Sequence, residues 1–337
     1  MTDMRISVAV FAESTDVSWR WVAGHFSSEV TWKFVRLTPP AASKITKLKR
    51  LSSTIKGVIS ARRVDMIVSH GPLVAMLVEA ARRFVGVQTP HLVYSFNYTE
   101  LPTGKRLALA RRLFSRIDRF VVSSATEIEM YSRHFGIAPG RFDLVLWGVN
   151  SPQAAEAEPP EYPYVCAIGG NARDYTVLMA AAKELPDIRF KCVVRPLNLS
   201  GITIPDNVSV QTNLPLASTM AILRDARLMV LPLLNGAVPC GHVTLVSAYY
   251  LQTPVIVTDS AGVSDYVRHG ETGLLVAPAS ANELSASIKE LWESPLLRKR
   301  ISDNANNFVV ISCSEQNYVD HFSQYINVIK NARYKKI

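Results

Sequence analysis

In this 337-residue chain, the residues best placed to do chemistry gather in short loops that follow apolar runs. Gly241-His242-Val243-Thr244 stands ahead of an apolar stretch that predicts a helix opening near Val243. A glycine there leaves the first amide N–H groups unpaired at the positive end of the helix dipole, a setting that suits a diphosphate. Thr244 adds a hydroxyl in the first turn, and an ordinary loop-to-helix cap without a ligand is the plain alternative. Gly169-Gly170-Asn171-Ala172-Arg173 follows the apolar run 164–168. Its paired glycines permit a tight turn, and Arg173 brings either a charge partner or a solvated cation to a helix start. His70 and Glu100 each come after a predicted strand and are candidate general bases. A satisfied core histidine and a turn cap before Leu101-Pro102 are the structural alternatives for these two. No D-x-D pair of carboxylates falls at a strand end, and Asp259 and Asp265 fit turns, so no metal site is expected.

The elements that must position these residues alternate. Apolar runs at 6–11, 31–37, 66–69, 91–95, 119–123 and 144–146 read as strands, with helices at 44–63, 73–84, 107–117 and 126–135. The stretch 151–163 holds Pro152, Pro159, Pro160 and Pro163, shows no period, and is the best linker candidate. Beyond it the alternation restarts. Strands are predicted at 164–168, 190–194, 208–211, 228–231, 255–258 and 274–276, and helices at 175–184, 220–224, 243–251, 281–292, 296–310 and 315–331. Strands spaced by such helices imply βαβ crossovers and parallel sheets covered on both faces. The expected division is 1–155, 156–315, and a C-terminal helix at 316–337 free to pack back on the first domain. Ligands of such sheets bind outside the carboxyl ends of the strands, here in a cleft expected between the two domains.

Hydrophobic residues make up 48% of the chain and charged residues 19%, enough for two cores and too apolar for disorder. No apolar run reaches the roughly 18–20 residues of a membrane span. Met1 to Arg5 leads straight into the first strand without the features of a secretory signal. Cys166, Cys192, Cys240 and Cys313 form no CxxC pair, which predicts reduced thiols and a cytoplasmic protein.

The net charge of +9 is uneven: residues 1–150 hold 21 Lys and Arg against 11 Asp and Glu, and the remainder 16 against 17. An anionic partner is therefore expected for the first half alone. Helix 44–63 sets Ile45, Leu48, Leu51, Ile55 and Ile59 near one face, with Lys44, Lys47 and Arg50 among the surrounding cations. Arg111 and Arg112 repeat the theme in helix 107–117. Such helices suit an anionic bilayer surface, each basic residue contributing about 1 kcal/mol, and a merely solvated face is the plain alternative. Nucleic acid is not expected, because aromatic interleaving, RNA-binding signatures and helix-turn-helix spacing are lacking.

The most specific pattern lies between Gly241 and Pro278. Gly241-His242-Val243-Thr244-Leu245-Val246-Ser247-Ala248 is followed by Thr253-Pro254-Val255-Ile256-Val257-Thr258-Asp259. Gly262-Val263-Ser264-Asp265-Tyr266-Val267 and Gly270-Glu271-Thr272-Gly273-Leu274-Leu275-Val276 come next. This order resembles the donor-binding half of the family-4-like, or group 1, glycosyltransferases. Tyr164 to Tyr175 resembles the first strand and loop of that same half. Asp65 to Pro72, Phe120 to Glu127, Phe135-Gly136-Ile137 and Trp147-Gly148-Val149-Asn150 resemble the acceptor half at lower specificity.

The resemblance implies an α/β GT-B fold of two Rossmann-like domains and a metal-independent, cofactor-free transfer from a UDP- or GDP-sugar. It implies donor contacts from Gly169, Gly170, Asn171, Arg173, Gly241, His242, Val243, Thr244 and Ser247, with Arg173 reaching the phosphates. The family's two glutamates, separated by seven intervening residues, are replaced here by Pro239 and Ser247, and its companion lysine has no counterpart among Thr176 to Met179. With the basic first half, the expected acceptor is a saccharide, lipid-linked or otherwise held at the inner face of the membrane, in surface polysaccharide or glycolipid synthesis. Retaining chemistry would need no base, whereas inverting chemistry would draw on Glu100 or His70 as base, or as sugar contacts. A non-catalytic relative binding a sugar nucleotide, and a sugar-nucleotide 2-epimerase, are the rival readings.

Overall fold

The structure, a computed structural model, describes residues 5–13, 19–37, 44–234 and 238–334. It divides into two compact units, 1–145 with 316–337 and 146–315. Each is an α/β unit built on a six-stranded sheet whose paired strands run parallel.

The first sheet holds β1 (Ile6–Ala12), β2 (Val30–Arg36), β3 (Met66–His70), β4 (His91–Tyr94), β5 (Arg119–Val122) and β6 (Phe142–Leu144), in the order β2-β1-β3-β4-β5-β6. Strand alternation sends Val8 and Val10 to one face and Ala9 and Phe11 to the other. Helix α1 (Arg20–His25) lies beside Trp19, Val22 and Phe26 on the first face. It is too short to show a helical period and was not expected. The opposite face carries α2 (Lys44–Ser60), α3 (Pro72–Val85), α4 (Gly104–Phe114) and α5 (Ala125–Phe135). Gly57 lets α2 sit close, since a Cβ there would lie 2.6 Å from Val35 Cγ1 and 2.8 Å from Phe11 Cε1.

Under α3 lies a buried polar hub. Glu79 pairs with Arg82 and meets His91 Nδ1 at 2.5 Å, while His91 Nε2 meets Ser69 Oγ at 2.8 Å. Burial pushes the Glu79 carboxyl up, but His91 and Arg82 outweigh it and hold the group below its usual value. The Ser-His-Glu order has the outline of a hydrolytic triad. Ser69, Glu79 and His91 are all fully enclosed, so the hub ties α3 to β3 and β4 rather than meeting a substrate.

The second sheet holds β7 (Tyr164–Ile168), β8 (Arg189–Val194), β9 (Val208–Thr212), β10 (Leu228–Leu231), β11 (Val255–Thr258) and β12 (Leu274–Val276). Its order is β12-β11-β10-β7-β8-β9. Helices α6 (Tyr175–Lys183) and α9 (Ala281–Glu293) cover one face; α7 (Leu216–Arg224), α8 (His242–Tyr250) and α10 (Pro295–Ser312) cover the other. The proline-rich stretch expected as a linker is held to this unit. Ala155 N–H donates to Ala217 O, Arg224 donates to Ala155 O, and Trp147 and Ala154 pack against the core.

The last helix, α11 (Glu315–Tyr334), packs with the first unit, where Val319, Phe322 and Ile326 join the core. Polar pins fix it there: Tyr94 Oη meets His321 Nδ1 at 2.7 Å, and Asp143 accepts from Tyr325 and Arg119.

Candidate functional site

The order of the second sheet reverses between β7 and β10, and ligands of open α/β sheets bind beyond the carboxyl ends of such a pair. Here those ends feed the two glycine loops. The loops are stitched to each other: Asp174 N–H donates to Pro232 O at 2.9 Å and Leu234 N–H to Ala172 O at 3.0 Å. Gly169 has φ of 110°, and a Cβ on it would lie 2.7 Å from Arg173 Nη2. Only glycine therefore lets the arginine fold back beneath the loop.

Arg173 is 8% exposed. Its Nε donates to Ile168 O at 3.3 Å, Nη1 to Asn171 O at 2.7 Å and Nη2 to Thr244 Oγ1 at 3.0 Å. All three acceptors are neutral. Among the described residues, no carboxylate pairs with it. Burial accordingly draws its pKa below that of a free guanidinium. A buried cation without a counter-charge is costly, and an anionic ligand would relieve that cost.

Thr244 stands in the first turn of α8, whose N-cap is Gly241 at φ 95°. Ser124, Asp174, Ser280 and Ser294 cap α5, α6, α9 and α10 with their side chains, whereas α8, like α1, α3, α4 and α7, has no side-chain cap. Its first amides are thus left for another acceptor. A Cβ on Gly241 would meet Leu231 and Leu233 methyl carbons at 3.2 Å. His242 stacks on Tyr266 with centroids 4.4 Å apart, and its Nε2 lies 3.1 Å from Gly262 O, which makes Nε2–H the donor. Burial pulls its pKa to about 4, so the ring is neutral near pH 7. The Val243 side chain is exposed. Ser247 is buried, and its hydroxyl donates back to Val243 O at 2.8 Å within the helix.

Three further side chains join this place without having been singled out in the sequence. Arg195, just past β8, donates from Nη1 to Asn171 Oδ1 at 2.9 Å. Asn198 donates to Gly170 O at 2.8 Å. Cys240 lies with Sγ 4.0 Å from Arg173 Nη1 and 3.4 Å from Asn171 O. A polar residue directly after the buried run Cys192, Val193, Val194 was the available signal for Arg195.

In the first unit, His70 ends β3 where that sheet's order reverses between β1 and β3. Its ring lies against Trp19 and Tyr94, with centroids at 5.1 and 6.1 Å. Nε2 is buried without a partner, and burial pulls the pKa to about 3. Glu100 is exposed on the loop after β4. That loop is held by Tyr98 N–H donating to Tyr131 Oη and by His134 Nε2 on Pro102 O. Among the described residues, no hydrogen bond or ion pair joins His70 to Glu100.

The basic helices correct one expectation. Arg50 is turned inward and pairs with Glu13, so it does not belong to an exposed cationic set. Arg111 and Arg112 are exposed, Arg111 also donating to His134 O at 2.9 and 2.7 Å. The side chains of Lys44 and Lys47 lie outside the described residues. Among the described residues, no group of three or more His, Cys, Asp or Glu could hold a metal ion, and no helix is long and apolar enough to cross a membrane.

Two parallel doubly wound units, one with a phosphate-suited switch point, define a GT-B architecture. The family profile described as Glycosyltransferase Family 4 matches residues 3–151, and that described as Glycosyl transferases group 1 matches 201–308. Together the two profiles span most of the chain and mark it as a GT-B glycosyltransferase of the group 1 type. No curated protein sequence matches it. Among solved structures it is similar to HepE from Anabaena in complex with UDP-glucose, at 13% identity and TM-score 0.74, covering 97% of this chain and 100% of that one. It is also similar to sucrose-phosphate synthase from Thermosynechococcus elongatus (16%, TM-score 0.73, 97% and 100%). A third is the lipopolysaccharide outer core galactosyltransferase WaaB (13%, TM-score 0.66, 98% and 100%). At these identities the likeness is one of fold.

Proposed function

We propose that the second unit binds a UDP- or GDP-sugar through its diphosphate at the Gly169–Arg173 loop and the start of α8, and that the first unit binds the acceptor. The observation that carries this reading is Arg173, a buried guanidinium with neutral acceptors only, beside a helix start without a side-chain cap. In the transfer, an acceptor hydroxyl oxygen bonds to the anomeric carbon as the bond from that carbon to the β-phosphate oxygen breaks. The electron pair leaves with the diphosphate, the hydroxyl proton passes to Glu100 in inverting chemistry or to the departing phosphate oxygen in retaining chemistry, and Arg173 and the α8 amides stabilise the charge that accumulates on the diphosphate. UDP-glucose in HepE supports the choice of donor class.

With its pKa near 3, His70 is neutral at physiological pH and serves this reading as a hydrogen-bonding contact for the acceptor. Glu100, exposed on its loop, is the remaining base for inverting chemistry; retaining chemistry uses none. The test is thermal stabilisation by UDP-, GDP-, ADP-, CMP- and dTDP-sugars, repeated with Arg173→Ala and Thr244→Ala. One nucleotide class should raise the melting temperature, and both substitutions should remove that rise. Stabilisation that survives both would place the donor elsewhere.

A lipid-linked acceptor at an anionic membrane face, in polysaccharide or glycolipid synthesis, fits the layer formed by α2, α3 and α4, which lie side by side. Leu48, Leu51, Ile59, Leu73, Phe84 and Leu109 are exposed on it. The three helices contain one carboxylate, Glu79, which is buried. Lys49, Lys56, Arg83, Lys105, Arg106 and Arg112 face solvent among the apolar groups. The fold likeness to WaaB, a lipopolysaccharide outer core galactosyltransferase, supports the same reading. Cosedimentation with phosphatidylglycerol vesicles should be lost in Arg106→Glu/Arg112→Glu. Unchanged binding by that variant, or equal binding to neutral vesicles, would remove this face from the account.

A further inference from the structure

We propose that Arg195 is a second cationic contact for the anionic part of the donor, acting with Arg173 as a pair bridged by Asn171. The proposal rests on the donor site described above and adds a residue to it. Asn171 accepts from both guanidinium groups: its backbone oxygen from Arg173 Nη1 at 2.7 Å, its side-chain oxygen from Arg195 Nη1 at 2.9 Å. The two cations therefore approach one loop from its two sides, Arg173 from beneath and Arg195 from the neighbouring strand.

The Arg195 side chain is set in place by the glycine loop. A Cβ on Gly170 would lie 2.8 Å from both Cγ and Cδ of Arg195 and 2.9 Å from Asn198 Oδ1. Gly170 thus allows the arginine stem to cross directly over the loop. Asn198 locks the crossing by donating to Gly170 O and accepting from Arg195 N–H at 3.2 Å. An arginine that merely extended into solvent would need neither the missing Cβ nor this clamp.

Charge points the same way. Arg195 is exposed, and among the described residues no carboxylate pairs with it, as none pairs with Arg173. Two uncompensated guanidinium groups and a helix start on one rim match a ligand carrying at least two negative charges. A diphosphate has them, and planar arginine forks suit its oxygens. Nucleoside monophosphates and nucleosides offer progressively less to this pair.

The experiment is calorimetric titration of UDP, GDP and inorganic pyrophosphate into the full chain and into Arg195→Ala, Arg195→Lys, Gly170→Ala and Arg173→Ala. Arg195→Ala should weaken the diphosphate that binds by about tenfold, a screened fraction of a charged hydrogen bond's worth. It should weaken the corresponding monophosphate less, and leave the melting temperature of the free protein unchanged. Arg195→Lys should recover part of the loss. Gly170→Ala, which displaces the arginine without removing charge, should reproduce most of it. If Arg195→Ala binds within twofold of the unmodified chain while Arg173→Ala loses binding, Arg195 is only a surface arginine and the donor site stands. If binding survives in Arg173→Ala and Arg195→Ala alike, or no probe binds at all, the donor site itself is wrong and this inference falls with it.

Discussion

Replacing Arg173 by methionine separates a ligand-binding cation from a structural one. In the free protein the substitution removes three hydrogen bonds to oxygen, at Ile168 O, Asn171 O and Thr244 Oγ1, and a long, weak one to Cys240 Sγ. Each of the first three contributes about 1 kcal/mol net, somewhat more from a charged donor. Against that stands a guanidinium that is 8% exposed and has no carboxylate partner among the described residues, a burial that costs several kcal/mol. Its lowered pKa reports the same imbalance, because the folded state disfavours the charged form. Methionine fills much of the stem's volume without that charge. The terms nearly cancel, and the free protein should change in stability by no more than about 1 kcal/mol, a shift of roughly 2–4 °C. With a nucleoside diphosphate bound, the balance differs. The cation then faces its counter-charge, and its removal should cost about 3 kcal/mol, or roughly 100-fold in affinity. Thermal melts with and without UDP and GDP read both quantities on the same sample. A loss of 3 kcal/mol or more in the free protein, with diphosphate affinity retained, would refute the reasoning and make Arg173 a strut between two loops.

Other perturbations test the surroundings of the site. The His242 pKa falls from 6.5 to about 4 on folding, so the unfolded chain takes up its proton first as the pH drops. Stability should therefore be flat above pH 7 and decline between about pH 6.5 and 4, by at most about 3 kcal/mol from this residue. His242→Gln should flatten that part of the urea-derived stability profile; an unchanged slope would show that the ring titrates normally. Gly241→Ala places a side chain at φ 95° and against the Leu231 and Leu233 methyls. It should cost about 1–3 kcal/mol in chemical denaturation and weaken nucleotide-dependent stabilisation. Glu79→Gln leaves Arg82 buried without its anion, and should lower stability by about 3–5 kcal/mol with nucleotide affinity per folded molecule unchanged. A loss of affinity there would tie the first unit's hub to the donor.

Much of the architecture was readable from period and punctuation. Apolar alternation marked the buried strands, and strand β7 was placed residue for residue because Tyr164 to Ile168 is buried throughout. Boundaries slipped where local signals competed. Helix α4 opens at Gly104 rather than 107, since Gly104, Lys105 and Arg106 are exposed and carry no apolar period. Helix α7 opens at Leu216, whose exposed side chain likewise breaks the pattern. The proline-rich stretch looked like a linker because its composition cannot form regular elements. Composition does not reveal that Ala155 bonds Ala217 or that Trp147 packs on the second core.

At the site, residue type and spacing displayed the donors but not their partners. Gly169, Arg173, Gly241 and Thr244 stood out because a glycine loop before a helix can offer free amides to an anion, although the same pattern also serves as an ordinary cap. That Arg173 reaches Thr244, seventy-one positions away, follows only from the order of the second sheet, which brings β7 beside β10. The same long-range pairing turned Arg50 inward, where a helical period had placed it among surface cations, because Glu13 at the end of β1 lies within reach. Arg195 escaped notice for the complementary reason. On its own it is one more arginine in a basic protein, and it gains meaning only when Gly170 and Asn198 are seen to hold its stem over the loop. Whether a charge is compensated is a property of the fold rather than of the residue, and here it separates the arginines that brace the units from those free to meet an anion.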